Sequence, residues 1–270
     1  MLKDKLDIRI YTDRAEMGRA AAAAAAERII SLINSKGEIN MVFAAAPSQN
    51  EFLDSLMSNN DISWSRINAF HLDEYIGLET EAPQGFGNFL REKLFGKVNF
   101  KSVNYLNGSI TTDSNIISQI SETIEASQMM ECLAAAECDR YSKLLKQYPL
   151  DIACIGIGEN GHIAFNDPPV ADFNDKSQVK VVKLDEVCRR QQVNDGCFEA
   201  LDLVPTHALT LTIPAIMSAD YIYCMVPGKT KAEAVNKTVN GRVSEECPAS
   251  ILRNHQNAKL FLDSDSAAEI

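Results

Sequence analysis

Residues 151–169 read DIACIGIGENGHIAFNDPP. Ile152–Ile157 is an apolar run of strand length, and it empties into a bend carrying Gly156, Gly158 and Gly161. His162 stands on the far side of that bend, with Asn166, Asp167 and the pair Pro168-Pro169 just beyond. The chain holds four histidines, and only this one has glycines, carboxylates and amides packed so closely around it. Gly156–Gly161 also satisfies the GxGxxG spacing of dinucleotide-binding loops. That motif needs its last glycines to open a helix whose N-terminus carries a pyrophosphate, and Pro168-Pro169 leaves too little chain for one. The glycines are therefore read as a tight mount that aims His162, whose side chain exchanges protons near neutral pH. No nicotinamide or flavin is expected.

The flanks alternate strand and helix. LDIRIY (6–11) reads as a strand, and Thr12 or Asp13 offers an N-cap to an alanine-rich helix over Glu16–Asn34 that Gly37 ends. Ile39–Ala44 is an apolar strand, followed by Ala45-Ala46-Pro47-Ser48-Gln49 and a helical pattern over Glu51–Met57. Ile67–Leu72 is a strand running straight into Asp73-Glu74-Tyr75. Ala82–Asn88 is loose, with Gly85 and Gly87, and precedes a helix-like Phe89–Leu94, a short strand Val103–Leu106 and a long helical region, 114–147. Beyond the histidine bend, Val179–Val182, Ala208–Ile213, Tyr221–Val226 and Lys259–Leu262 read as strands, with a helix over Lys231–Val239 entered through Pro227-Gly228. Such alternation predicts an α/β fold, Rossmann-like and doubly wound, with one mainly parallel sheet and helices on both faces. No linker-like block or repeat divides the chain, so a single domain over 1–270 is expected.

Ligands of such sheets bind outside the carboxyl ends of the strands. Ala45–Gln49, Asp73–Tyr75, Gly156–Asp167 and Gly228–Lys231 each follow a strand, which places a site at that edge. Neighbouring strand residues face opposite ways, so Asp73 and Glu74 are not a side-by-side dyad; one faces the pocket as a base. Lys229 and Lys231 follow a turn into a helix, a position that suits anions. Arg189-Arg190-Gln191-Gln192 reads as an exposed helix face.

With 46 % hydrophobic and 23 % charged residues, the 270-residue chain has the composition of a soluble globular protein. A net charge of −11 argues against nucleic acid or an anionic membrane as partner, while a local pocket can still take a small anion. MLKDKLDIRIYTDR is too charged for a signal peptide, and no apolar run approaches a membrane span. Seven scattered cysteines without a CxxC pair suggest reduced thiols in a cytoplasmic protein, not a zinc site.

Three stretches together resemble the glucosamine-6-phosphate deaminase/isomerase family: LDEYIGL at 72–78, GIGENGHIAFNDP at 156–168 and PGKTKAEAV at 227–235. The 6-phosphogluconolactonases are a sister group of the same fold, but they typically continue the histidine segment as SLFP, which disfavours them here. The resemblance implies that Asp73 moves the proton between C2 and C1 of an open-chain amino-sugar phosphate, and that His162 shuttles a proton in ring opening. Asn160 and Asp167 stand where many members have aspartate and glutamate. Asn160 is expected to orient the imidazole by a hydrogen bond without adding charge. Ala45, Ala46, Ser48, Gln49, Glu74, Gly158, Gly161, Arg190 and Lys231 are the expected substrate contacts. Two family features are altered. A TGGTP-like turn is replaced by Ala44-Ala45-Ala46-Pro47, for which Ser48 and Gln49 would supply donors. A phosphate-binding arginine is absent near Asn194 or Asp195, where Arg190 or Arg253 would stand in. The implied reaction converts glucosamine 6-phosphate and water to fructose 6-phosphate and ammonia, without metal or organic cofactor, in a protein compatible with homo-oligomerisation. Galactosamine 6-phosphate as substrate, lactone hydrolysis with His162 activating water, and a sugar-phosphate-binding regulator without turnover are the alternatives. Ala82–Asn88 is expected to act as a lid hinged at Gly85 and Gly87.

Overall fold

The computed structural model describes residues 1–109, 126–194 and 196–270. Its strands and helices, in chain order, begin with β1 (Leu2–Lys3), β2 (Leu6–Tyr11), α1 (Arg14–Lys36), β3 (Ile39–Phe43) and α2 (Asn50–Met57). Next come β4 (Ile67–His71), β5 (Asp73–Tyr75), α3 (Phe86–Leu90), β6 (Ser102–Asn104) and α4 (Ala126–Gln147). The rest are β7 (Ile152–Ile155), β8 (Val179–Lys183), α5 (Glu186–Asn194), β9 (His207–Leu211), α6 (Ile213–Met217), β10 (Tyr221–Val226), α7 (Ala232–Asn240) and β11 (Ala258–Asp263). The expected helical region 114–147 lies partly outside the described residues, as does Asp195.

Eight strands form the main sheet, in the order β1-β2-β11-β10-β7-β3-β4-β6. Every neighbouring pair is parallel except β1–β2. Both faces are covered, and the two-residue period of a strand sorts side chains between them. In β7, Ile152 and Cys154 pack toward the layer that holds α1 and α2, whereas Ala153 and Ile155 pack into the opposite layer.

The alanine run makes a helix because alanine gives up no side-chain entropy, and Asp13 caps it by accepting from Glu16 N. Gly37, with φ 83°, ends it. Small residues let α1 lie close to its neighbours. A Cβ on Gly18 would sit 2.5 Å from Glu51 Cβ, so the first turns of α1 and α2 meet there almost backbone to backbone. Any side chain at Gly18 would force the two helices apart.

A second sheet departs from the single sheet expected. β5, β9 and β8 form a separate antiparallel ladder in the order β5-β9-β8. Asp73–Tyr75 leaves the line of β4 at Leu72 and pairs with residues far along the chain, a pairing that no local pattern announces. No described helix is long and apolar enough to cross a membrane.

Candidate active site

A cleft of about 240 Å³ opens beyond the carboxyl ends of β3, β7 and β10. It is lined by Ala44–Gln49, Asp73, Gly156–Gly158, His162, Ala164, Phe165, Gln191, Gln192 and Pro227–Gly228, with Arg14, Phe86, Cys197, Thr230 and Lys231. Asp73, His162, Gly158, Ala45, Ala46, Ser48, Gln49 and Lys231 are thus brought together in one cleft.

The small sheet sets Asp73 against the histidine bend. Asp73 is paired across the ladder with Thr210, and Thr210 Oγ1 accepts from Phe165 N at 3.2 Å. One buried hydroxyl therefore ties the strand under Asp73 to the segment that follows His162. Burial, with the Glu74 charge next to it, holds the Asp73 carboxyl well above the usual carboxylate range.

His162 is fixed from behind. Its Nδ1 lies 2.8 Å from Asp167 Oδ1, and Asp167 is 1 % exposed. Burial pushes the Asp167 carboxyl up, but the His162 charge and the hydrogen bonds it accepts outweigh this and leave it below its ordinary value. Asn160 does not orient the imidazole directly, which corrects the expectation. Its Oδ1 accepts from the backbone N of His162 at 3.1 Å, and its Nδ2 donates to Asp167 Oδ1 at 2.9 Å. The amide holds the carboxylate, and the carboxylate holds the ring. Neither Asn160 nor Asp167 lines the cleft.

The glycines of the bend answer to separate demands. A Cβ on Gly158 would fall 2.1 Å from the His162 ring, so only glycine leaves room for the imidazole. Gly161 has φ 85°, a conformation glycine tolerates, and backs onto Cys247 rather than lining the cleft as expected. Ala164, on the cleft wall, has φ 53° without being glycine, which marks local strain at the site.

Behind Asp167 lies Cys188. Its Sγ, an Asp167 oxygen and a His162 ring nitrogen lie within 4.8 Å of one another, the one such metal-type grouping among the described residues. Burial first, then the Asp167 charge, pushes the thiol far up, so it stays protonated and offers the carboxylate a weak S–H donor in place of the thiolate a metal would need.

Glu74 does not face the cleft. Its carboxylate accepts from the backbone N–H groups of Tyr75 at 2.9 Å, Phe86 at 3.0 Å and Gly87 at 2.7 Å. It therefore fastens the Ala82–Asn88 segment to β5 and sets Phe86, which stacks on Phe165 at 5.5 Å and walls the cleft. Burial pushes this carboxyl up to about 7 despite those three donors. The far side of Glu74 lines a second cavity, of about 250 Å³. His71 beside it is wholly buried, and burial depresses it to about 3, so it stays neutral.

The loop Ala44–Gln49 shows how alanines replace glycines. Ala46 is extended, with φ −161° and ψ 156°, and Pro47 opens a turn of 3-10 helix, Pro47–Gln49, that leads into α2. No residue of the loop needs a left-handed conformation. Gln49 is buried and donates to Ser48 Oγ at 3.1 Å. On the other wall Gly228, with φ 97°, donates to both oxygens of Asp263 at 3.0 Å, which anchors the turn carrying Thr230 and Lys231.

The two stand-in arginines are not in the cleft. Arg190 is exposed and paired with Glu186 one turn earlier on α5. Arg253 pairs with Asp4 and donates to Gly241 O, and its carbonyl accepts from Lys5 N at the amino end of β2, the wrong edge of the sheet. The cleft-facing residues of α5 are Gln191 and Gln192 instead. With Cys188 they form an i, i+3, i+4 set, a helical-face signal that the Arg-Arg-Gln-Gln composition hides. Gln191 Oε1 also accepts from Glu159 N at 2.8 Å, bracing the histidine bend. Arg14 lines the cleft although nothing in the sequence points to it, because it stands beside no motif.

Residues 12–261 match the family described as glucosamine-6-phosphate isomerases/6-phosphogluconolactonase. Over 250 residues the chain is 33 % identical to glucosamine-6-phosphate deaminase of Listeria monocytogenes serotype 4a, covering 93 % of this chain and 96 % of that one. Among solved structures, a monomeric glucosamine-6-phosphate deaminase superposes with a TM-score of 0.80 at 29 % identity, covering 98 % of this chain and all of that one. The 6-phosphogluconolactonase of Trypanosoma brucei shares the fold, with a TM-score of 0.71 at 17 % identity over 98 % of this chain and 99 % of that one.

Proposed function

The chain belongs to the glucosamine-6-phosphate isomerase/6-phosphogluconolactonase family, and on that premise we propose that it converts glucosamine 6-phosphate and water to fructose 6-phosphate and ammonia. The observation that carries this reading is a buried carboxylate, Asp73, sharing one cleft with an imidazole braced by Asp167. Aldose–ketose isomerisation needs one base at neighbouring carbons and one proton shuttle at the ring oxygen.

His162 moves the proton that opens the pyranose to the aldehyde. Asp73 then takes the C2 proton, giving an enolamine between C1 and C2, and a proton returned to C1 leaves an iminium at C2. Water adds there and ammonia departs, so the sugar gains the ketone oxygen and loses nitrogen with no change in net oxidation state. Each proton-transfer group is worth roughly 10²–10⁴ in rate. Phe86 and Phe165 wall the cleft and limit competing water, and Lys231 serves the phosphate end.

The test is ammonia release and fructose 6-phosphate formation from purified protein and glucosamine 6-phosphate, run beside galactosamine 6-phosphate and 6-phosphogluconolactone. Deamination of the first substrate is expected. Opening of the lactone with no ammonia from either amino sugar would overturn the reading.

A further inference from the structure

A sugar phosphate, the ligand proposed above and the one on which this inference rests, must meet cationic donors as it enters the cleft. Among the described residues lining the cleft, Arg14 and Lys231 are the arginine and lysine side chains. Helix α5 turns neutral amides toward the ligand, with Arg190 outside and paired to Glu186.

Arg14 is delivered by helix packing. Gly18, one turn later on the same face of α1, permits the close approach to Glu51. That approach lays the guanidinium along the Ala44–Gln49 loop. Nη2 donates to Pro47 O at 3.0 Å and to Glu51 Oε2 at 2.9 Å, and Nε lies 2.6 Å from Glu51 Oε1. These contacts use Nε–H and the hydrogens of Nη2. Nη1 makes no hydrogen bond among the described residues, and the side chain is 47 % exposed at the cleft edge. A guanidinium has five N–H donors in a planar fork, so two remain for an anion on the wall that Ser48 and Gln49 also form.

We propose that Arg14 is the phosphate-binding arginine of this cleft, supplying from the start of α1 a charge that the cleft-lining Gln191 and Gln192 of α5 do not. Glu51 holds the guanidinium in place by Nε and Nη2, and its negative charge opposes the phosphate that takes the two remaining donors.

The experiment is calorimetric titration of wild type, Arg14→Ala, Arg14→Lys and Glu51→Gln with inorganic phosphate, glucosamine 6-phosphate and unphosphorylated glucosamine, with a thermal melt of each variant to verify folding. Arg14→Ala should weaken both phosphate ligands about 10- to 100-fold, leave glucosamine unchanged, and raise KM much more than it lowers kcat. Arg14→Lys should recover part of the loss. Glu51→Gln should tighten phosphate binding, because it removes a like charge from beside the anion. Phosphate binding by a folded Arg14→Ala protein at wild-type strength overturns the proposal. So does weaker binding by Glu51→Gln, which would make the arginine only a brace for the loop. Inorganic phosphate separates the two readings: wild type that binds phosphate through Arg14 but does not deaminate the amino sugar defeats the proposed reaction alone.

Discussion

His162 Nδ1 and Asp167 Oδ1 lie 2.8 Å apart, with Asn160 Nδ2 2.9 Å from the same oxygen. The carboxylate fixes the ring by one nitrogen and leaves Nε2, which lies over Gly158, as the nitrogen that can serve a substrate. Asn160 grips the aspartate from the side and so holds its short side chain within reach of the ring.

Replacing Asp167 with asparagine keeps the shape and removes the charge. Turnover should fall about 10- to 100-fold with KM little changed, because the residue acts only through the imidazole. Steady-state ammonia release at several pH values is the measurement, and an unchanged rate would detach Asp167 from the function of His162.

Gly158→Ala is predicted to be folded and inactive. The added carbon would sit 2.1 Å from the ring and must push His162 out of the cleft. A melt within a few degrees of wild type, with a rate loss of about 10² or more, is the expected pair of results.

Asp73→Asn should abolish exchange of the substrate C2 hydrogen with solvent while leaving binding measurable. Because burial and then the Glu74 charge raise the Asp73 carboxyl, kcat/KM of wild type should climb with pH through a limb above the ordinary carboxylate range. Glu74→Gln removes the like charge and should move that limb to lower pH.

The stability of the fold should carry the imprint of Glu74. Its carboxyl is raised to about 7 in the folded chain, against about 4.3 unfolded. The native state therefore holds this proton more tightly, and the resulting stabilisation is full below about pH 4.3 and lost as pH rises to about 7, on the order of 3 kcal/mol. Urea melts at pH 5 and pH 7.5 should show a smaller difference in Glu74→Gln than in wild type. Glu74→Ala should be the more damaging change, since it strands the N–H groups of Phe86 and Gly87 at roughly 1–3 kcal/mol each.

What the sequence made legible was whatever local chemistry decides. LDIRIY and Tyr221–Val226 became strands over the very residues expected, and the alanine run became a helix because its propensity and caps are written in adjacent positions. Asp73, His162 and Lys231 could be placed at one edge because strand ends converge there in any parallel sheet. What long-range pairing decides stayed hidden. The β5–β9 ladder, which turns Asp73 inward and Glu74 toward the Ala82–Asn88 segment, has no signature in DEY. Arg14 was invisible for a related reason: its position follows from the Gly18–Glu51 contact between two helices, not from anything next to it in the chain.

Helix α1 is fastened at both ends. At the cleft edge Arg14 grips Glu51, and at the opposite edge Lys36 pairs with Asp151 and Asp220, which precede β7 and β10. Its 23 residues thus have a fixed span and a fixed phase. Substitution within the alanine run is cheap as long as the side chain stays small, but insertion or deletion is not. One residue added between Gly18 and Lys36 would rotate one end against the other by about 100° and shift it by about 1.5 Å. Either the guanidinium leaves the loop or the lysine leaves its aspartates, so descendants of this chain should drift freely in the composition of this helix while keeping its length.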